Sequence, residues 1–137
     1  MTTIKALTLW QPYAQAIVLG LKKYETRSWA TKYRGKIAIH SSLKPLSKTY
    51  LALAEKYGIQ NTPAKMPLGK VLAICELEDC ILMDEEFIRA QDQTEIDFGD
   101  WCAGRYAWKL KIVKILPEPK TIRGYQGLWN LVVENKQ

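Results

Sequence analysis

Between Arg105 and Ile112 the chain reads Arg-Tyr-Ala-Trp-Lys-Leu-Lys-Ile, and this alternation is the strongest constraint on what it can fold into. In an extended strand Tyr106, Trp108, Leu110 and Ile112 share one face, while Lys109 and Lys111 point to the other. A strand with that much apolar area on one side needs a sheet to bury it. Ala6 to Trp10 alternates loosely and reads as a first strand, Lys23 to Arg27 as extended, and Gly35 to His40 as a strand. Lys70 to Leu77 is rich enough in Val, Leu and Ile to be central, and Leu128 to Val133 reads as the last strand.

Short helical signals lie between these strands. Gln11-Pro12 opens one helix with proline in a favourable first-turn position; Tyr13, Ala16, Ile17 and Gly20 recur at helical spacing, and Gly20 stops it. Lys48 to Tyr57 carries an apolar stripe of Leu51, Leu53, Ala54 and Tyr57, ended by Gly58. Asp84 to Gln91 has acids in its first turn, as the helix dipole prefers. A loop is expected around Pro63, Pro67 and Gly69, and a Pro/Gly-rich turn from Pro117 to Gly127. No internal repeat or linker breaks the 137 residues, so one domain over residues 1–137 is expected. Five to six strands with two to three inserted helices in this length predict an α+β fold, a small mixed β-barrel.

Composition narrows the function classes. Apolar residues make up 47% and charged residues 25%, which argues against disorder. No apolar run reaches the roughly 18 residues of a membrane span, and the N-terminus lacks a signal-peptide pattern. Three cysteines, an odd number, argue against a disulfide framework and suit a reducing compartment, so a cytoplasmic protein is expected. Cys75, Cys80, Cys102 and the single histidine match no common zinc spacing, and no glycine-rich phosphate loop is present; neither metal nor cofactor is expected. Charge is uneven. Residues 20–50 hold eight Lys/Arg against the single acid Glu25, whereas residues 76–100 hold ten acids against Arg89. A positive surface of this kind attracts phosphates, unless the basic residues simply solvate a face.

The chemistry-bearing residues crowd into the first forty or so positions. Gly20-x-Lys22-x-x-Glu25-x-Arg27 sets three ionisable groups after a helix end, and an extended Lys23 to Arg27 puts Glu25 and Arg27 on one face. Such a pair forms a fixed hydrogen-bonding unit, or else an ordinary surface ion pair. Trp10 and Trp29 flank the motif and could stack on a base, whereas Trp108 and Trp129 read as core. His40 reads as a packed structural residue or as a phosphate or base contact. Glu76 shares a strand face with Leu72 and Ile74, and is either a partnered buried acid or the solvated end of the strand.

Gly20-Leu21-Lys22-Lys23-Tyr24-Glu25-Thr26-Arg27, with Trp10-Gln11-Pro12-Tyr13-Ala14 before it and Tyr33-Arg34-Gly35…Ile39-His40 after it, resembles the ASCH (activating signal cointegrator homology) domain of the PUA-like superfamily. Gly104 to Leu110 and Pro117…Ile122-Arg123-Gly124-Tyr125-Gln126-Gly127-Leu128-Trp129 look like its closing strands. The resemblance implies a β-barrel with an RNA or nucleotide cleft beside the first helix, lined by the Lys/Glu/Arg motif. It also implies a possible hydrolase, since some small relatives are credited with deacylating N4-acylated cytidine or cleaving RNA. Lys22 matches the working lysine of the deacylating relatives and Glu76 their glutamate, while Glu25 stands where they have a threonine.

The leading expectation is therefore binding of RNA or a nucleotide-like small molecule by Trp10, Lys22, Glu25, Arg27, Trp29, Arg34 and His40. The alternative is a small hydrolase, a nucleoside amidohydrolase or ribonuclease, with Lys22 as base and Glu76 assisting. A third reading is an interaction module that uses the acidic stretch from Glu76 to Asp100. No membrane partner is expected, and the chain is expected to act as a monomer.

Overall fold

The computed structural model describes residues 2–133. Ten elements follow one another: β1 (Thr2–Leu9), α1 (Tyr13–Val18), β2 (Tyr24–Arg27), β3 (Gly35–Ser41), α2 (Lys48–Lys56), β4 (Lys70–Leu82), α3 (Glu85–Arg89), α4 (Gln93–Asp97), β5 (Tyr106–Thr121) and β6 (Leu128–Val133). The strands form one six-stranded mixed sheet in the order β2-β5-β4-β3-β1-β6. Only β1 and β3 run parallel; the other neighbours are antiparallel. No helix among the described residues is long and apolar enough to cross a membrane.

The alternating segment behaves as its pattern requires. Trp108 and Leu110 are buried, Tyr106 and Ile112 partly so, and Lys109 and Lys111 are exposed. Trp108 has no exposed surface and packs with Leu7, Ile37, Ile39, Leu77 and the α1 residue Ile17. On the other face Trp129 clusters with Ala6, Ala38, Val71 and Leu131. A third cluster joins α1 to α2 and to Phe98 through Ala16, Ala54, Ile59 and Met66.

Helix ends follow local chemistry. Ser47 accepts from the Tyr50 amide at 3.3 Å to start α2, and Asp84 accepts from Phe87 at 2.7 Å to start α3. Gly20 sits at φ +78° after α1, a left-handed conformation that ends the helix and turns the chain toward β2.

Three expectations need correction. The sheet is not closed into a barrel: among the described residues β2 pairs only with β5 and β6 only with β1, so a seam separates the two edges. Side chains occupy that seam in place of a hydrogen-bond ladder. The turn expected from Pro117 is instead the far end of β5, which reaches Thr121. Val71 faces Lys120 but Ala73 faces Ile115, so β5 bulges over the segment that holds Pro117 and Pro119. A bulge asks no ladder donor of a proline, which is why both fit there. Finally, α4 is an additional helix, capped where Asp92 accepts from the Glu95 amide at 2.9 Å.

Trp108 is the largest fully buried side chain in the core. Trp108→Ala is expected to cost on the order of 3–5 kcal/mol in a denaturant titration, whereas Val113→Ala on an exposed position of the same strand should cost far less than that.

Candidate ligand-binding cleft

A cleft of about 930 Å³ opens at the seam, between the start of α1, β2 and the connection from β5 to β6. Its floor is the motif after Gly20. Arg27 donates to Glu25 through Nε at 3.0 Å and lies 2.9 Å from it through Nη2. The same Nη2 donates to the Thr8 carbonyl at 3.2 Å and so ties β2 to β1 across the seam. Lys22 approaches the other oxygen of Glu25 at 3.4 Å, donates to the Phe98 carbonyl, and lies 5.5 Å from the Tyr13 ring centre.

Burial sets the electrostatics of this floor. The Lys22 side chain is 1% exposed, and its ammonium is held below its ordinary value by desolvation, which Glu25 and Glu95 oppose. Glu95, in α4, accepts from the Lys23 amide, and burial pushes its carboxyl upward. Tyr13 is pushed up to about 12 by burial and by neighbouring Tyr50.

Aromatic faces form the walls. Trp10 is 43% exposed and Trp29 37%. Trp29 stands edge-on to Trp108 at 4.7 Å, which fixes its ring. Trp10 lies 5.8 Å from Tyr50, and Lys44 sits 3.6 Å above its ring.

His40 lies deeper, at 2% exposure. Its Nε2 is 2.6 Å from the Ile122 carbonyl, which can only accept, so Nε2 carries the proton. Nδ1 then accepts from the Thr8 hydroxyl at 3.0 Å, and Thr8 accepts from the indole of Trp129 at 3.0 Å. One chain of hydrogen bonds thus joins β1, β3, β6 and the segment after β5. Burial lowers the pKa of this imidazole below 6.5.

Of the residues expected from sequence, Trp10, Glu25, Arg27, Trp29 and His40 line the cleft, and Lys22 lies beneath it. Arg34 and Glu76 are not among the lining residues. Arg34 donates to the carbonyls of Thr31 and Tyr33 at 3.0 and 2.8 Å and lies 3.7 Å from Asp79. Glu76 sits on β4 opposite Lys36 and Lys111, with Tyr33 the phenol that feels its charge. Thr26 lines the cleft, but its hydroxyl is taken by the Asp100 amide at 2.9 Å. The sequence reading missed Thr8, Tyr50, Arg105, Arg123 and Tyr125, all cleft residues. The only trace of the last two was the Arg-Gly-Tyr-Gln-Gly run itself. No cluster of three or more His, Cys, Asp or Glu among the described residues could hold a metal ion.

Two outcomes follow from this geometry. Glu25→Gln leaves a buried ammonium and a tethered guanidinium without their shared anion, and is expected to cost on the order of 3 kcal/mol in chemical denaturation. For His40 the folded pKa lies below the unfolded one, so in the interval between them the unfolded chain holds more protons and stability falls as pH drops. The stability difference between wild type and His40→Gln should therefore shrink as pH is lowered from about 7 to about 5. A pH-independent difference would contradict the lowered pKa of this buried imidazole.

Comparison with known proteins places the arrangement in a family. The ASCH domain pattern matches residues 7–133. The chain is 34% identical over 136 residues to Activating signal cointegrator 1 of Homo sapiens and 27% identical over 136 residues to that of Mus musculus. Each match covers 91% of this chain and 22% of the relative, so the chain spans about a fifth of the length of these curated relatives. The matched span takes in the motif after Gly20, the cleft walls and the segment after β5, and the chain belongs to the ASCH domain family.

Proposed function

We propose that the chain binds RNA or a nucleotide-like ligand in the seam cleft. The observation that carries this reading is the state of Arg27. Its Nε and Nη2 are held by Glu25 and the Thr8 carbonyl, while Nη1 has no acceptor among the described residues. A guanidinium clamped on one side offers its remaining donors in a fixed plane, beside the exposed rings of Trp10 and Trp29. Edge-reading donors next to stacking faces suit a nucleobase, and a volume of about 930 Å³ suits a nucleotide-sized ligand. Membership of the ASCH family, whose members are generally proposed to bind RNA, supports the same reading.

Hydrolysis of a modified nucleoside is the second reading, because burial holds the Lys22 ammonium below its ordinary value as a general base requires. Two observations make it the weaker one. Lys22 Nζ is already committed to the Phe98 carbonyl and Glu25, and Glu76 faces Lys36 and Lys111 instead of the cleft. Turnover of an N4-acylated cytidine, lost in Lys22→Ala, would reverse the preference.

Gel shifts with single-stranded, hairpin and duplex RNA at two salt concentrations test the binding reading, with affinity expected to fall steeply as salt rises. Arg27→Lys keeps the charge but loses the planar fork, and is expected to weaken binding by about 1–3 kcal/mol. No shift with any RNA at low salt would end the RNA half of the reading, and equal affinities for wild type and Arg27→Lys would end the role given to Arg27.

A further inference from the structure

The strap between β5 and β6, residues 122–127, gives the cleft more of its lining than any other segment: Arg123, Gly124, Tyr125, Gln126 and Gly127. It is seated firmly. The Ile122 amide donates to the Gly69 carbonyl at 3.0 Å, and the Ile122 carbonyl accepts from His40 at 2.6 Å. Gly124 presses against the same histidine so closely that a Cβ there would lie 2.5 Å from His40 Cε1 and 2.6 Å from Thr8 Oγ1. Only glycine lets the backbone come this near. Tyr125 stands edge-on to Trp129 at 5.6 Å, and Trp129 itself donates to Thr8.

The three arginines that line the cleft differ in how far the protein has already satisfied them. Arg27 is paired with Glu25. Arg105 lies 3.5 Å from the Asp100 carboxylate and donates to the Asp100 and Thr26 carbonyls. Arg123 is exposed, sits 5.5 Å from the Tyr125 ring centre, and has no carboxylate partner among the described residues. The amides of Gly124, Tyr125 and Gln126 likewise donate to no group among the described residues. An unpaired guanidinium beside unspent backbone donors, on a strap fixed in advance, is a site for a tetrahedral anion with several acceptor oxygens.

We propose that the strap is the phosphate subsite of the cleft, with Arg123 and the amides of residues 124–126 meeting phosphate oxygens and His40 acting as the positioning residue that seats the strap. This rests on the nucleotide reading above and narrows it. The ligand is a phosphorylated nucleoside, with its base toward Arg27 and Trp29 and its phosphate toward Arg123. The phosphate belongs either to a mononucleotide or to an RNA backbone; a free nucleoside lacks the group the strap is built for.

Titrating the full chain separates these cases, with quenching of tryptophan fluorescence as readout. The probes are the ribonucleosides, their 5′- and 3′-monophosphates, and a short single-stranded RNA of mixed sequence. Phosphorylated probes are expected to bind about tenfold or more tightly than nucleosides, the worth of a charge-assisted contact. A gain confined to the RNA assigns the phosphate to a backbone, and a gain already present in a mononucleotide assigns it to the free nucleotide. Arg123→Gln should collapse the ratio of phosphorylated to unphosphorylated affinity toward one, whereas Lys114→Gln, equal in charge but on an exposed position of β5, should leave it in place. His40→Phe should lower the ratio, and His40→Gln, which keeps a donor for the Ile122 carbonyl, should restore most of it. Nucleosides that bind as tightly as nucleotides, or an equal loss in Lys114→Gln, would overturn the strap assignment and leave nucleotide binding standing. Silence from every probe with folded protein would remove the nucleotide reading and the strap with it.

Discussion

The Glu25 carboxylate answers two cations at this end of the molecule, and the floor of the cleft is organised around it. At 10% side-chain exposure it has lost most of its water, and its charge is answered by Arg27 at 2.9 Å and Lys22 at 3.4 Å. Each partner in turn grips the backbone of another segment: Arg27 the Thr8 carbonyl of β1, and Lys22 the Phe98 carbonyl just after α4. A short edge strand with sheet pairing on one side only is thereby fixed to two neighbours it does not pair with. Desolvating these groups opposes folding, so the cluster adds little net stability. What it supplies is position: the open seam keeps one width, and Arg27 keeps one orientation.

That seam explains why the sheet ends where it does. Pairing of β1 with β6 runs from Thr2–Val133 to Leu7–Leu128, and the Thr8 carbonyl just beyond is taken by Arg27 rather than by another strand. Closing β2 onto this edge would replace side-chain contacts with a ladder and fill the space that Trp29, Arg27 and the strap now line. An open edge is usually a hazard for pairing with another chain. Here β2 has only four residues, and two of them, Glu25 and Arg27, are held in the charged cluster, which leaves little regular edge to extend.

Much of the fold was legible because it depends on neighbours in sequence. The alternation from Tyr106 to Ile112, the stop at Gly20, and the stripe and Gly58 ending of α2 are local signals, and the structure follows them. The pairing of Glu25 with Arg27 was legible for the same reason, since two residues on a strand face must meet. What was not legible was non-local. The chain path just before β3 sets Arg34 against Asp79, and the register of β4 sets Glu76 between Lys36 and Lys111. Pro117 and Pro119 read as a turn because nothing local announces a bulge in β5. The link of Thr8, His40, Ile122 and Trp129 draws on four distant stretches, and no spacing in the chain hints at it.

The arrangement also divides labour between charge and direction. Lys22, Glu25 and Arg27 together leave one net positive charge, most of it spent inside the cluster, and what the floor of the cleft offers is a fixed geometry of donors beside aromatic rings. The exposed cations near the cleft are Arg123 and Lys44, each placed over an aromatic ring, and on the reading proposed above the long-range attraction would fall to them. A charge held against a ring keeps its field while losing some conformational freedom, so it draws in an anion and still presents a defined contact. On the binding proposed above, the rim cations would draw a phosphate in and hold it, while the floor would orient the base.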